Sequence, residues 1–261
     1  MAVIQLVISL VILGILYVRM IRREVPEPIG KAQAVVPVLL GLLSILVSVL
    51  LIIGLGQLAL AVGFSAKNIE NPVLRALTRA FLGAGLVEEL AKLLMILLSF
   101  ALFRPKNVYE YILVGAAVGT GFTVHEEILY AGSLAGIWRM ATVAMHMVYG
   151  VIMAYRLGAA RCKTLRGEGG AAKERVLAFV IPALLHTAYD ACTVFNPVVD
   201  MTGDDYGAPE LAGLAAGVVA ILVGTVWQIL VLVQLKKRAA SYSAMATVPD
   251  AGVNPEAGGN R

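Results

Sequence analysis

Apolar runs long enough to cross a lipid bilayer dominate this chain. Hydrophobic residues make up 59% of its 261 positions, and its mean hydropathy is +0.85. Ordinary soluble domains are roughly 45–50% apolar, and one helical span takes about 20 apolar residues. We therefore predict an all-α, polytopic transmembrane helix bundle of about seven spans, with an eighth left open. The predicted spans lie near residues 2–18, 35–62, 74–103, 109–134, 138–160, 174–195 and 209–235.

Basic residues lie mostly in alternate loops, which orients the bundle. By the positive-inside rule, loops rich in Lys and Arg face the cytoplasm. The pattern predicts an outside N-terminus that acts as a signal anchor and a cytoplasmic C-terminus. The opposite side includes an acidic connection at residues 196–208. The cytoplasmic set is Arg19, Arg22, Arg23, Lys31, Arg104, Lys106, Arg156, Arg161, Lys163, Arg166, Lys173, Arg175, Lys236, Lys237 and Arg238.

The domain organisation follows from these runs. Residues 1–238 are predicted to form one integral membrane domain with its core at 74–195, followed by a disordered cytoplasmic tail at 239–261 that is rich in Ala, Gly, Ser and Pro. The net charge of +4 does not indicate nucleic-acid binding, because the basic residues flank apolar runs instead of forming a stripe with aromatic residues. Cys162 and Cys192 fall at opposite ends of the topology, so no disulfide is predicted.

Four polar clusters interrupt the apolar runs. A charged side chain at membrane depth costs roughly 2.5–3.5 kcal/mol on insertion scales. Carboxylates and imidazoles are also the groups that bind metals, activate water and relay protons. We therefore interpret the clusters as one buried polar site. They are Glu88-Glu89 with Lys92, Glu126 beside His125 and Glu127, His146, and His186 with Asp190.

The clusters share a depth. At about 1.5 Å per residue, Glu88, Glu126, His146 and His186 all lie about 12–20 Å below the outer boundary. This count places the site in the outer half of the membrane or near its middle.

Helical spacing suggests roles for some of these residues. His186 and Asp190 are four residues apart and share a face, so Asp190 could orient the imidazole. Lys92 could neutralise one of the adjacent glutamates and leave the other free. We favour Glu88 as the base that activates water and Glu89 as a supporting residue. Phe122 shares a face with Glu126 and could wall the pocket.

Several alternatives stay open at this stage. His125 points to another face than Glu126 and is interpreted as a packing residue. The string His125-Glu126-Glu127 is not a zinc HExxH motif, because Leu129 stands where the second His belongs. Intramembrane carboxylates and histidines also serve proton- or ion-coupled transporters. A non-catalytic membrane scaffold is the third alternative.

The order of these elements resembles the PrsW family of intramembrane proteases, relatives of the CAAX-protease and bacteriocin-processing group. Glu88 to Lys92 matches an EExxK element, and Phe122 to Glu126 matches FxxxE after a Gly-rich stretch. Arg139 precedes an HxxxG element that begins at His146, and His186 to Asp190 matches HxxxD. The resemblance covers about residues 74–195. The chain departs from the family in having Glu127, where Asn is common.

The resemblance implies an intramembrane endopeptidase. The implied reaction is site-1 cleavage of a membrane-anchored anti-sigma factor on its extracytoplasmic side, in the bacterial cytoplasmic (inner) membrane. Members are classed as metalloproteases, so a divalent metal is expected, with Zn²⁺ the predicted ion. The catalytic residues predicted are Glu88, Glu89, Glu126, His146, His186 and Asp190. Glu126, His146 and His186 are the metal ligands predicted, with Lys92, Phe122 and Arg139 in support.

Overall fold

The computed structural model describes residues 2–23, 29–196 and 208–249. The secondary structure of this part is helical, apart from one isolated β-bridge between Asn107 and Ala246. This confirms the all-α prediction. The α-helices are α1 (Ala2–Ile21), α2 (Lys31–Ala61), α3 (Pro72–Ala80), α4 (Val87–Phe103), α5 (Val108–Leu129), α6 (Leu134–Arg139), α7 (Met145–Leu165), α8 (Ala171–Cys192) and α9 (Ala208–Ser243).

Six segments of the described chain are long and apolar enough to cross a membrane. They correspond to six of the predicted spans, since α6, the following 3₁₀ turn and α7 together make one of them. The lipid-facing surfaces of α2 and α9 are rich in exposed Leu, Ile and Val, as expected for helices at the edge of a bundle. The six segments are Ala2–Ile21, Lys31–Ala61, Val108–Leu129, Gly136–Leu165, Ala171–Cys192 and Leu211–Ser243.

The remaining predicted span, 74–103, is interrupted. A π-helical turn, Phe81–Gly85, separates α3 from α4, and α4 has only 17 residues. The π-turn leaves two helices, of 9 and 17 residues, and neither is among the six long apolar segments. Single π-turns inside helices often lie at functional sites, and this one directly precedes Glu88 and Glu89.

Helix α5 lies at the centre of the bundle and is buried along nearly its whole length. Small residues allow its neighbours to approach closely. A Cβ atom at Gly115 would meet the backbone of Gly150 on α7, and one at Gly119 would meet the backbone of His146. Small residues at such contacts are typical of helix packing in membranes. The glycines of α5 therefore hold α7, and His146 with it, against the centre of the bundle.

The first residues of the predicted disordered tail are helical or buried in the structure. The helix continues past Ala239 to Ser243, and Thr247 is buried, where its hydroxyl donates to the carbonyl of Pro105. Residues 250–261 of the predicted tail lie outside the described residues. So does most of the acidic connection at 196–208, including Asp200, Asp204 and Asp205.

Candidate active site

The structure brings the four polar clusters together at one end of the bundle. Glu88 and Glu89 lie in the first turn of α4, and Glu126 lies in the last turn of α5. His146 is the second residue of α7, and His186 lies six residues before the end of α8. The imidazole centroids of His146 and His186 are 5.0 Å apart. The shared depth inferred from residue counting therefore corresponds to one polar centre.

His186 lies between the two adjacent glutamates. Its Nδ1 is 2.8 Å from Glu89 Oε1, and its Nε2 is 3.8 Å from Glu88 Oε2. Asp190 Oδ2 is 3.4 Å from the same Nε2. Because a carboxylate only accepts, the Nδ1–H donates to Glu89 and fixes the ring. Glu89 therefore orients the imidazole, the role predicted for Asp190. Asp190 lies instead on the Nε2 side of the ring, together with Glu88.

Lys92 connects the second histidine to Glu89. Its Nζ is fully buried, 2.6 Å from Glu89 Oε1 and 2.8 Å from His146 Nδ1. The ammonium also lies 4.3 Å from the centroid of Phe122, a cation–π contact that places this ring beside Lys92. An ammonium can only donate, so His146 Nδ1 accepts from it and the ring proton is on Nε2. Lys92 neutralises Glu89, which leaves Glu88 without a lysine partner.

Glu126 forms the outer wall of the centre. Its Oε2 accepts from Arg139 Nη2 and contacts His146 Nε2. Arg139 lies at the end of α6, so this ion pair ties the short α5–α7 connection to the site. The Nε of Arg139 is also 3.8 Å from Glu127 Oε1, which is buried. Glu127, the departure from the family pattern, therefore provides a second counter-charge for Arg139. His125 is half-buried.

The π-turn packs closely against α8, and this places the two glutamates next to that helix. A Cβ atom at Gly85 would lie 2.7 Å from the carbonyl oxygen of Ala183 and would clash with the Thr187 hydroxyl. Only glycine allows this approach. The approach brings the start of α4 beside His186, so that both Glu88 and Glu89 reach one imidazole despite pointing about 100° apart on a regular helix.

Comparison with known sequences identifies the family to which this chain belongs. A sequence model of the PrsW family of intramembrane metalloproteases matches residues 32–225. The chain belongs to this family. It is 33% identical to the protease PrsW of Bacillus subtilis over 116 residues, which cover 42% of this chain and 52% of that protein. It is 36% identical to the protease PrsW of Halalkalibacterium halodurans over 141 residues, or 51% of this chain and 58% of that protein.

The matches span only about half the length of these PrsW relatives. The range that the family model matches, residues 32–225, includes all four polar clusters. No solved structure matches the chain. Membership in the PrsW family and the six candidate spans make the chain a multi-pass membrane protein.

The donor atoms fit the divalent metal that the PrsW family name implies. Glu88, His146 and His186 each offer a ligand atom, and these atoms lie within 4.8 Å of one another. Imidazole nitrogen and carboxylate oxygen are ligands that Zn²⁺ binds in catalytic sites. Glu88 Oε2 is buried without a hydrogen-bond partner. Glu88 Oε2 and Asp190 Oδ2 both face His186 Nε2, at 3.8 and 3.4 Å, so a cation bound to this nitrogen would have two carboxylates beside it.

The charges of the site also favour a cation. Four carboxylates (Glu88, Glu89, Glu126 and Asp190) face two permanent cations (Lys92 and Arg139). Two contacts of His146 would change if Nε2 bound a metal. The contact of Nε2 with Glu126 would be replaced, and the ring proton would lie on Nδ1, where Lys92 now donates. The structure groups Glu88 with the two histidines, and the ligand role predicted for Glu126 stays a prediction.

Tyr149 is a site residue that the sequence reasoning missed. Its hydroxyl is buried without a hydrogen-bond partner, and its ring stacks on His186 with centroids 5.4 Å apart. A buried aromatic residue on an apolar helix resembles a core residue, so the sequence gives no signal for it. The hydroxyl offers a neutral donor beside the carboxylates.

A small cavity of about 10 Å³ is lined by His146, Tyr149, His186, Asp190 and residues around them. This volume is about that of one water-sized probe. A peptide segment could therefore reach the imidazoles only if the surrounding helices separate.

Proposed function

We propose that this chain is an intramembrane endopeptidase. The observation that carries the proposal is the convergence of Glu88, His146 and His186 on one buried centre, with donor atoms within 4.8 Å of one another. Lys92 pairs with Glu89 and Arg139 pairs with Glu126, whereas Glu88 pairs with neither cation and its Oε2 is buried without a hydrogen-bond partner. A hydrolase needs such an oxygen to take a proton from water.

Glu88 acts as the general base in the proposed reaction. Its carboxylate accepts a proton from water as the water oxygen attacks the peptide carbonyl carbon. The carbon–nitrogen bond then breaks, and the same proton passes from Glu88 to the leaving amine. Peptide and water thus give a carboxylate end and an amine end, with no other reactant.

Other residues of the site position these groups. His146 and His186 would hold the divalent metal, which when bound would polarise the carbonyl and lower the pKa of water, while the Glu88 carboxylate beside them stays free to take the proton. Glu89 orients His186, and Lys92 neutralises Glu89. Arg139 holds Glu126 at the edge of the site. The Tyr149 hydroxyl donates to the carbonyl oxygen as negative charge develops on it.

The proposed substrate is a membrane-anchored protein that is cut near the outer surface of the membrane. The candidate is an anti-sigma factor that undergoes site-1 cleavage in the bacterial inner membrane. The basic ends of the helices support a cytoplasmic location for the end of the bundle opposite the site. The site would then open toward the extracytoplasmic side, where a juxtamembrane segment can unwind for attack.

Cleavage of a single-span reporter protein in proteoliposomes tests the proposal. The wild type should cut the reporter near its outer membrane boundary, and Glu88→Gln should lower the rate by about 10²–10⁴-fold, the usual contribution of a general base. Glu70→Gln is the matched control, since Glu70 is exposed just before α3. Full cleavage by Glu88→Gln would contradict the role of Glu88. Loss of cleavage in both variants would show that the effect is not specific to the site.

A further inference from the structure

A second cavity lies between α1 and α9, at the end of the bundle away from the polar site. The N-terminal Ala2 of α1 lies beside Gly132, near the α5–α7 connection that carries Arg139. The C-terminal end of α1 is therefore at the opposite end of the bundle. The cavity there has a volume of about 270 Å³.

Apolar walls and a basic mouth define this cavity. Leu16 of α1 and Leu232 and Val233 of α9 form its sides. Arg19, Arg23 and Lys236 line it as well, and all three are exposed. None of the salt bridges found among the described residues involves these three side chains.

The floor of the cavity is closed by buried, hydrogen-bonded residues. Tyr109 of α5 is buried there and donates its hydroxyl proton to the carbonyl of Met20 on α1, at 2.9 Å. Met20 and Leu235 of α9 belong to one buried cluster with Tyr109. The floor of the cavity is therefore part of the packing of three helices.

We propose that this cavity binds the glycerophosphate and upper acyl chain of an anionic phospholipid. Three positive charges converge on it, so they match a phosphodiester, and the apolar walls match the methylene groups that follow. Basic pockets between transmembrane helices on the cytoplasmic side recognise anionic lipid head groups in this way. The rest of the lipid would run along the exposed apolar faces of α1 and α9.

Native mass spectrometry of the full-length detergent-solubilised protein tests the site. Phosphatidylglycerol is titrated against phosphatidylcholine with the same acyl chains, and glycerol 1-phosphate is added as a competitor. We expect one retained phosphatidylglycerol, at least about tenfold tighter than phosphatidylcholine, with no displacement by equimolar glycerol 1-phosphate. Equal retention of the two lipids would overturn the proposal. So would displacement by glycerol 1-phosphate, which would indicate a site for soluble phosphate esters.

A charge variant and its matched control locate the binding. Since each basic residue near the surface contributes about fivefold in affinity, we expect Arg19→Gln/Arg23→Gln/Lys236→Gln to lower phosphatidylglycerol affinity by about 100-fold. The control is Arg166→Gln/Lys173→Gln/Arg175→Gln, which removes the same charge from exposed positions at the same end of the bundle and should retain the lipid. Equal losses in the two triple variants would show general charge attraction and contradict the site.

Val233→Trp tests the acyl part of the site without changing charge. The exposed side chain at this position lines the cavity, and an indole ring would fill part of it. We expect loss of the retained lipid while the elution volume and the thermal midpoint without added lipid stay as in the wild type. Unchanged retention would contradict binding inside the cavity. The readout does not depend on peptide cleavage, so it stands apart from the proposed function.

Discussion

The adjacent residues Glu88 and Glu89 should respond in opposite ways to the same isosteric change. Glu89 is fully buried and accepts hydrogen bonds from Lys92 Nζ at 2.6 Å and from His186 Nδ1 at 2.8 Å. Glu88 has a partly exposed side chain, and its Oε2 has no hydrogen-bond partner. We therefore expect Glu89→Gln to affect mainly stability and Glu88→Gln to affect mainly activity.

The magnitudes follow from these contacts. Glu89→Gln leaves the ammonium of Lys92 buried without its counter-charge, and breaking a buried ion pair costs about 3–5 kcal/mol. Glu88→Gln removes no hydrogen bond, so its effect on the free energy of unfolding should stay within about 1 kcal/mol. Its effect on the rate is the loss of the general base, about 10²–10⁴-fold.

Two measurements on the same preparations separate these effects. SDS titration gives the stability of each variant, and reporter cleavage gives its activity. The expected pair of results is a stable, inactive Glu88→Gln and a destabilised Glu89→Gln. If Glu88→Gln were the destabilised variant and Glu89→Gln were stable but inactive, the assignment of base and supporting residue would be reversed. Equal destabilisation of the two variants would refute the inference that Glu89 has a structural role and Glu88 does not.

Three further changes test other parts of the site. Tyr149→Phe removes a hydroxyl without a hydrogen-bond partner, so it should leave stability unchanged and lower kcat about 100-fold with little change in KM; an unchanged kcat in the cleavage assay would exclude the donor role. Glu126→Gln should reduce stability by about 2 kcal/mol in SDS titration, because Arg139 and His146 both lose the charge of their nearest carboxylate; an unaltered unfolding midpoint would contradict this. Gly119→Ala should cost about 1–3 kcal/mol and slow cleavage, because its Cβ meets the backbone of His146. Gly54→Ala, which has open space around it, is its control, and equal losses for both would mean that helix contact is not the cause.

Much of the site could be predicted from the sequence because polar groups are so costly in apolar spans. Glu88, Glu126, His146 and His186 each interrupt an apolar run, and counting residues along the helices was enough to predict that they meet. The all-α fold followed from the length of the runs in the same way.

The pairing within the site could not be predicted, because it depends on a few ångströms of helix position. Helical spacing allowed Lys92 to pair with Glu88 (i,i+4) or with Glu89 (i,i+3). In the structure Glu89 also contacts His186 and Lys92 also contacts His146, and the pair forms with Glu89. The π-turn divides the predicted span 74–103. Such turns depend on tertiary packing and carry no clear local sequence signal. Tyr149 was missed because an aromatic residue in an apolar helix is compatible with ordinary core packing.

Plasma mass spectrometry tests most directly that the two histidines hold a metal beside Glu88. It compares the metal content of the purified wild type with that of His146→Ala/His186→Ala. The double variant should keep the elution volume of a folded protein in detergent. We predict about one divalent metal ion per wild-type chain and its loss from the double variant. A folded wild type that cleaves the reporter without bound metal, or a double variant that retains the ion, would contradict this assignment.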